Sequence, residues 1–135
     1  MSDTRWRELS DYRIEMAKET LKTAVILYKS SRYKDCINRS YYTIFHSMRA
    51  VLALEGTDYK KHSGVIAHFR EKYVKSGIFS KELSNIVGQA SLIRNQSDYE
   101  DFFLASAEDA EKQLLDAAEF YAAVANYLHT GEKQV

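Results

Sequence analysis

An arginine that follows an apolar helical stripe is the residue of this sequence best suited to bind an anion. The stripe consists of apolar residues at helical spacing: Leu83, Ile86, Val87 and Ala90. Arg94 comes four residues after Ala90 and therefore prolongs the same face. A guanidinium is rarely buried without a partner, so its position needs an explanation. Asn95, Asp98 and Tyr99 add amide, carboxylate and phenol groups within the next turn and a half.

Two interpretations of Arg94 are open at this point. In the structural interpretation Arg94 and Asn95 end a helix, because a cation suits the negative end of the helix dipole and Asn suits the cap. In the functional interpretation the same turn is a site at which Arg94 binds an anionic ligand. Spacing along the chain does not separate the two.

A second group of polar residues shares one face of another predicted helix. Arg39, Tyr42, His46 and Arg49 are spaced by three, four and three residues. Arginine offers charge-assisted donors to a phosphate, and histidine offers a group that titrates near neutral pH. The alternative is a solvated face, or an inter-subunit face with Tyr42 as its anchor, because charged helix faces are common.

Several other chemistries are excluded by the residues that are missing. No two of the four histidines have the i, i+4 spacing of a helical zinc site, and Cys36 is the single cysteine. No Glu precedes a His by three residues, as a di-iron bundle requires. Gly-x-Ser-x-Gly nucleophile motifs and phosphate-binding glycine loops are also absent. We therefore expect no metal ion and no cofactor.

Composition indicates one globular domain in a reducing compartment. The 135 residues include 45% hydrophobic and 28% charged residues, with no proline and five glycines, so long helices meet few breakers. The formal net charge is zero, which argues against binding nucleic acid by bulk charge but leaves a local basic groove open. The single cysteine, the charged N-terminal segment and the lack of a long apolar segment predict a cytoplasmic protein without signal peptide or membrane span.

Hydrophobic periodicity predicts an all-α fold. The expected helices span about 6–28, 33–55, 63–75, 81–95 and 106–129. The second has the most regular apolar set: Cys36, Ile37, Ser40, Tyr41, Ile44, Phe45, Met48, Val51 and Leu52. Because short polar breaks favour antiparallel packing, we predict an antiparallel four-helix bundle with an additional short helix. It would form a single domain over residues 1–135, frayed at 1–5 and 131–135.

Local signals predict the boundaries around the later helices. Ser80 and Ser106 are the expected N-caps of the last two helices. Residues 96–104 are expected to connect these helices, although Asp98 and Tyr99 are also compatible with an extension of the first. Residues 59–63, Tyr-Lys-Lys-His-Ser, are expected to form a basic loop before the short helix.

Two segments of the chain resemble the HEPN-domain family of prokaryotes. Residues 39–50 match its second-helix pattern, in which an Arg, two aromatic residues, a Phe-His pair and an Ala follow at fixed spacing. Residues 94–99, Arg-Asn-Gln-Ser-Asp-Tyr, resemble the Arg-Asn-x-x-Asp-Tyr element at the end of a later helix. The order of the segments, their separation and the all-α outline agree over essentially the whole chain.

The resemblance implies a helical bundle that pairs as a two-fold homodimer, with the Arg-bearing segments of both subunits lining one cleft. Many family members are metal-independent ribonucleases that act as toxins. They are commonly paired with a minimal nucleotidyltransferase (MNT) antitoxin, which in some pairs attaches AMP to a tyrosine near the motif. By this resemblance the chain is a HEPN protein of a toxin–antitoxin-like module that binds RNA or a nucleotide.

Active ribonucleases of the family place a His four to six residues beyond the Arg, whereas this chain has Tyr99 there. RNA cleavage needs a base for the 2′-hydroxyl, an acid for the leaving oxygen and a cation for the phosphate. Arg94 is the expected cation, with Asn95 positioning the phosphate. Proton transfer would fall to Tyr99, Asp98 or His46, and Tyr99 is also the expected site of AMP attachment.

Substrate binding is expected at Arg39, Tyr42 and Arg49, on the second helix. Two alternatives to cleavage stay open. In the first, a non-catalytic module uses the same cleft to hold a nucleotide or a partner's peptide. In the second, the chain is a helical dimerisation domain in which Arg94 is paired to Asp98 or Glu100 and does nothing else.

Overall fold

Five helices make up the computed structural model, which describes residues 3–133 and the side chains of residues 4–130. They are α1 Asp3–Lys29, α2 Tyr33–Ala53, α3 His62–Phe69, α4 Lys81–Tyr99 and α5 Ala107–Lys133. A π-helical turn, Arg70–Val74, continues α3. No strand occurs within residues 3–133. Four long helices and one short helix confirm the predicted all-α class.

Long helices that follow one another along the chain run antiparallel. Ser10 Oγ, in the first half of α1, donates a hydrogen bond of 2.7 Å to the carbonyl oxygen of Ala50, near the end of α2. Cys36 Sγ, at the start of α2, lies 3.9 Å from the carbonyl oxygen of Ala110, at the start of α5, so α2 and α5 run parallel. Ile93, late in α4, packs on the same cluster as these two residues. Helices α1 and α4 therefore run opposite to α2 and α5.

Helix α2 lies at the centre of the core and contacts every other helix. Each residue of its predicted apolar set is buried, which confirms the periodicity. The rings of Phe69 of α3 and Phe120 of α5 pack at a tilt, with their centres 5.6 Å apart, in the core cluster that includes this helix. Burying a side chain of that size contributes about 1.5–3 kcal/mol, so the aromatic packing fixes where α3 lies against the bundle.

Helix α4 has the longer of its two predicted extents, through Asp98 and Tyr99. It continues through Arg94 and ends at Tyr99, so the connection to α5 begins at Glu100 rather than at residue 96. No glycine or proline interrupts this segment, and Arg94 and Asp98 form an i, i+4 ion pair that favours helix. The interpretation of Arg94 as a cation at a helix end is therefore wrong.

Both predicted N-cap serines directly precede their helices, but only one of them makes a capping hydrogen bond with its side chain. Ser106 Oγ accepts a 3.0 Å hydrogen bond from the backbone N–H of Asp109, which confirms it as the N-cap of α5. Ser80 precedes α4, but its side chain makes no capping bond. Helices α1 and α5 include residues 3–5 and 131–133, while residues 1–2 and 134–135 of the predicted frayed ends lie outside the described residues. A single domain over residues 1–135 stays a prediction.

Candidate functional site

Arg94 lies between α4 and α2 with its guanidinium over an aromatic ring. Its Cζ is 4.5 Å from the centre of the Tyr41 ring, and only 13% of its side chain is exposed. One terminal nitrogen donates to Asp98 Oδ2 at 3.3 Å, and the other lies 3.4 Å from His62 Nδ1. Cation–π contact and two polar partners hold the arginine in one orientation. The predicted association of Arg94 with Asp98 is therefore present.

His62 is the functional candidate that sequence reasoning missed. It begins α3 and its ring lies 4.0 Å from the ring of Phe45. Tyr41 Oη lies 3.0 Å from its Nδ1. The chain carried no local signal for the link to Arg94, because the two residues are 32 positions apart. The only sequence feature that included His62 was the basic loop, residues 59–63.

The partners of His62 define its protonation. A guanidinium only donates, so the Nδ1 atom that faces Arg94 must carry a lone pair, which places the ring proton on Nε2. Burial, and then the charges of Arg94 and Arg49, lower the pKa of His62. Burial raises the pKa of Tyr41, so its hydroxyl stays protonated and donates to Nδ1. His62 is thus a neutral imidazole beside a fixed cation.

The predicted polar stripe of α2 exists as one half-buried face. Arg39, Tyr42, His46 and Arg49 are all intermediate in exposure, whereas their helical neighbours are mostly buried. The Arg39 guanidinium lies 5.0 Å from the Tyr42 ring centre. Arg49 is already paired, because it donates to Asp58 at 2.7 Å. Arg39 donates to the neutral amide oxygen of Asn38, at 3.0 and 2.7 Å, and has no carboxylate partner in these bonds.

His46 is a half-buried residue of this stripe with an enclosed ring nitrogen. Its Nδ1 is inaccessible and has no hydrogen-bond partner. Burial is the main cause that lowers its pKa from 6.5 to about 4, and the charges of Arg49, Arg39 and Arg13 add to it. Neither polar partner of Arg94 is His46, since these partners are Asp98 and His62. The structure thus places His46 near the stripe but not on Arg94.

Asn95 and Tyr99 face away from Arg94. At 100° per residue, Tyr99 is about 140° around the helix from Arg94, and it is 76% exposed. Asn95 is the next residue on α4 and is also exposed. Of the residues predicted around Arg94, the structure therefore brings Asp98 to its guanidinium and leaves Asn95 and Tyr99 on the outer face of α4.

A cleft of about 410 Å³ opens beside His62. The residues that line it are Phe45, Arg49, Asp58, Tyr59, Lys60 and His62. Its size falls in the range of small-molecule sites, and its walls combine aromatic rings with cations, a combination suited to a base and a phosphate. The cleft and the Arg94 contact meet at His62, so both belong to one candidate site.

Metal and membrane chemistry find no support in the residues described. Among the side chains of residues 4–130, no group of three or more His, Cys, Asp or Glu lies close enough to hold a metal ion. Within residues 3–133, no helix has the length and apolar content that crossing a bilayer requires. The chemistry open to the site is binding of an anion by Arg94 and proton transfer by a neutral imidazole.

Comparison with known proteins agrees with the motifs and the fold. A model of the HEPN domain matches residues 10–127. A "UPF0332 protein" of Thermotoga maritima is 31% identical over 87% of this chain and 89% of its own length. Two proteins of Methanocaldococcus jannaschii, "Putative toxin MJ0605" and "Putative toxin MJ0142", are 35% and 30% identical over 79% and 83% of this chain, and over 79% and 76% of their own lengths. The resemblance seen in the sequence is confirmed, and the chain belongs to the HEPN domain family.

Proposed function

We propose that this protein is a toxin of a two-component module and cleaves RNA without a metal at the Arg94–His62 site. The observation that carries the proposal is the 3.4 Å approach of a neutral imidazole to the arginine of the family motif. In this proposal His62 takes the part of the motif histidine, because this chain has Tyr99 at the position of that histidine. The names of the two Methanocaldococcus relatives support a toxin role.

In the proposed reaction an RNA phosphate draws the Arg94 guanidinium away from His62. The Tyr41 hydroxyl must turn away from Nδ1 as well, and the Nδ1 lone pair then takes the proton of the adjacent 2′-hydroxyl. The 2′-oxygen forms a bond to phosphorus, the bond to the 5′-oxygen breaks, and the products are a 2′,3′-cyclic phosphate and a 5′-hydroxyl. Arg94 stabilises the extra negative charge on the phosphorane, and Asp98 keeps the guanidinium in place.

The stripe on α2 would guide the rest of the RNA. Arg39 and Tyr42, already in contact as a cation and a ring, offer a phosphate contact and a stacking surface. Arg49 would contribute only by exchanging Asp58 for a phosphate. Asn95 keeps its proposed role in phosphate positioning only for an RNA that also reaches the outer face of α4.

We further propose that two copies pair through the apolar surface beyond the site. Its exposed members are Leu92, Phe102 and Leu104, with 62–95% of each side chain accessible. Exposed apolar residues in one segment are typical of interaction sites. The accessible phenol of Tyr99 also suits attachment of AMP by an MNT antitoxin in the cytoplasm. A small nucleotidyltransferase gene beside this one, and a mass gain on Tyr99 with that partner and ATP, are the expected observations.

The test of cleavage uses the purified protein, a mixed RNA pool and EDTA. The wild type should give fragments that end in 2′,3′-cyclic phosphate, and His62→Ala should reduce cleavage by roughly 100-fold or more. His129→Ala, which removes an exposed histidine of α5, is the matched control and should cleave normally. A pool left uncut by the wild type at every protein concentration would falsify the proposal.

A second candidate is a structural or binding role without cleavage. It is favoured by the ion pair of Arg94 with Asp98, which already satisfies part of the guanidinium. Arg94→Lys separates the two candidates, because lysine keeps the charge but loses the paired geometry. Loss of cleavage with an unchanged melting temperature supports catalysis. A melting temperature lowered by many degrees supports the structural role.

A further inference from the structure

A second histidine of α3 lies at the centre of a three-residue hydrogen-bond chain. Tyr59 Oη is 2.9 Å from His68 Nδ1. His68 Nε2 is 3.2 Å and 3.3 Å from the two carboxylate oxygens of Glu55. A phenol, an imidazole and a carboxylate in this order form a path along which a proton can move. We refer to Tyr59, His68 and Glu55 as the relay.

The carboxylate end of the relay is fixed and charged. Glu55 also accepts hydrogen bonds from Lys72, at 2.8 Å, and from the hydroxyl of Tyr73. Burial alone would raise the pKa of Glu55, but the hydrogen bonds from Lys72, Tyr73 and His68 outweigh it and lower the pKa. Lys72 and Tyr73 lie in the π-helical turn, which therefore has a direct role in holding the carboxylate.

The phenol end of the relay is held at the cleft. A methyl group on Gly64 would lie 2.8 Å from ring carbons of Tyr59, so the ring packs directly on the glycine backbone. The Tyr59 side chain is nevertheless 43% exposed, and it lines the same cleft as His62. The relay therefore ends on a surface that a ligand in the cleft would touch.

The two histidines of α3 have opposite electrostatic surroundings. Arg94 and Arg49 act on His62 and favour its neutral, proton-accepting form. His68 instead has the Glu55 carboxylate at its Nε2 and the Tyr59 hydroxyl at its Nδ1. One histidine thus faces cations and the other faces a carboxylate, which suits them to different steps of proton transfer.

We infer that Tyr59 is the general acid of the proposed RNA cleavage, recharged by His68 and Glu55. The inference rests on the proposed function. As the bond from phosphorus to the 5′-oxygen breaks, the Tyr59 hydroxyl proton passes to that oxygen. The Nδ1 proton of His68 passes to the Tyr59 oxygen, and the imidazole is left neutral. The proton removed from the 2′-hydroxyl stays on His62, which lines the same cleft as Tyr59.

The experiment compares two leaving groups at the cleavage site mapped in the RNA pool. One oligonucleotide has the ordinary 5′-oxygen, and the other has a bridging 5′-sulfur, which leaves without a proton. Tyr59→Phe should cleave the oxygen substrate roughly 100-fold more slowly than the wild type, and the sulfur substrate within a few-fold of it. His68→Gln should behave in the same way, whereas His62→Ala should slow both substrates. Tyr12→Phe, an exposed phenol of α1, is the matched control.

Each outcome decides between the proposals. If Tyr59→Phe slows both substrates equally, or slows neither, the relay is only structural and the acid assignment is overturned while the cleavage by Arg94 and His62 stands. If the wild type cleaves neither substrate, the proposed function fails and the acid assignment fails with it. Selective loss on the oxygen substrate is the result that a merely structural role would not produce.

Discussion

Replacing His46 by glutamine should change how the stability of the protein depends on pH. The folded protein keeps His46 neutral down to about pH 4, whereas an unfolded chain protonates the residue near pH 6.5. As the pH falls, the unfolded state therefore binds this proton first. The stability that His46 contributes is complete above pH 6.5 and is lost as the pH falls towards 4.

The size of the effect follows from the two pKa values. The difference between 6.5 and about 4 corresponds to about 3.4 kcal/mol if it is fully expressed. His46 is half-buried rather than buried, so we halve the figure for solvent screening and expect about 1.7 kcal/mol. For a domain of this size the expected change in melting temperature is about 6 °C.

Urea unfolding of the wild type and His46→Gln at several pH values between 4.5 and 7.5 measures the effect. The wild type should lose about 1.7 kcal/mol more than the variant across this range. The carboxylates Glu55 and Asp58, whose pKa values are lowered despite opposing burial, titrate in both proteins and cancel in the comparison. If the free energy of unfolding depended on pH in the same way in both proteins, the conclusion that the fold keeps His46 neutral would be refuted. Because His46 does not contact Arg94, the variant should also keep RNA cleavage.

Three further predictions concern packing and assembly. Gly64→Ala should displace the Tyr59 ring, because the added methyl group would overlap it. The variant should therefore cleave the oxygen substrate as slowly as Tyr59→Phe does, although it retains the tyrosine. Cleavage rates of the oxygen and sulfur substrates measure this. Ser106→Ala should lower the free energy of unfolding by about 1 kcal/mol, because the N–H of Asp109 loses its acceptor; an unchanged urea midpoint would contradict it. Phe102→Asp should weaken self-association about 10-fold or more if the apolar surface is the seam; light scattering that gives a monomer for the wild type would contradict the dimer.

The long helices were predictable because each has an apolar face that repeats along the chain. The stripe of α2 is the clearest case, since every residue of its predicted apolar set is buried. The end of α4 was not predictable in the same way, because Arg94 and Asp98 stabilise a polar turn that has no apolar repeat. The π-helical turn after Phe69 was not predicted either, because the spacing of apolar residues does not distinguish its hydrogen-bond pattern from that of an α-helix.

The site was predictable only where its residues are neighbours on one helix. Arg94 and Asp98 are one turn apart, and their pairing follows from that spacing. The contact of Arg94 with His62 depends instead on how α3 packs against α2 and α4, and no local pattern encodes it. Tyr41 illustrates the same limit, because it was correctly placed in the core while its hydroxyl reaches His62.

The short helix α3 has a larger part in the chemistry than its length suggests. It begins with His62, which lies under the influence of Arg94, and it includes His68, which pairs with Glu55. One histidine is held in the accepting form by cations, and the other is paired with a carboxylate. Under the proposed function Arg94 has a double role, because it binds the phosphate and also keeps the nearby base neutral until the phosphate arrives. In this scheme the family's arginine motif on α4 supplies charge, and α3 supplies the proton transfer for which the motif itself has no histidine.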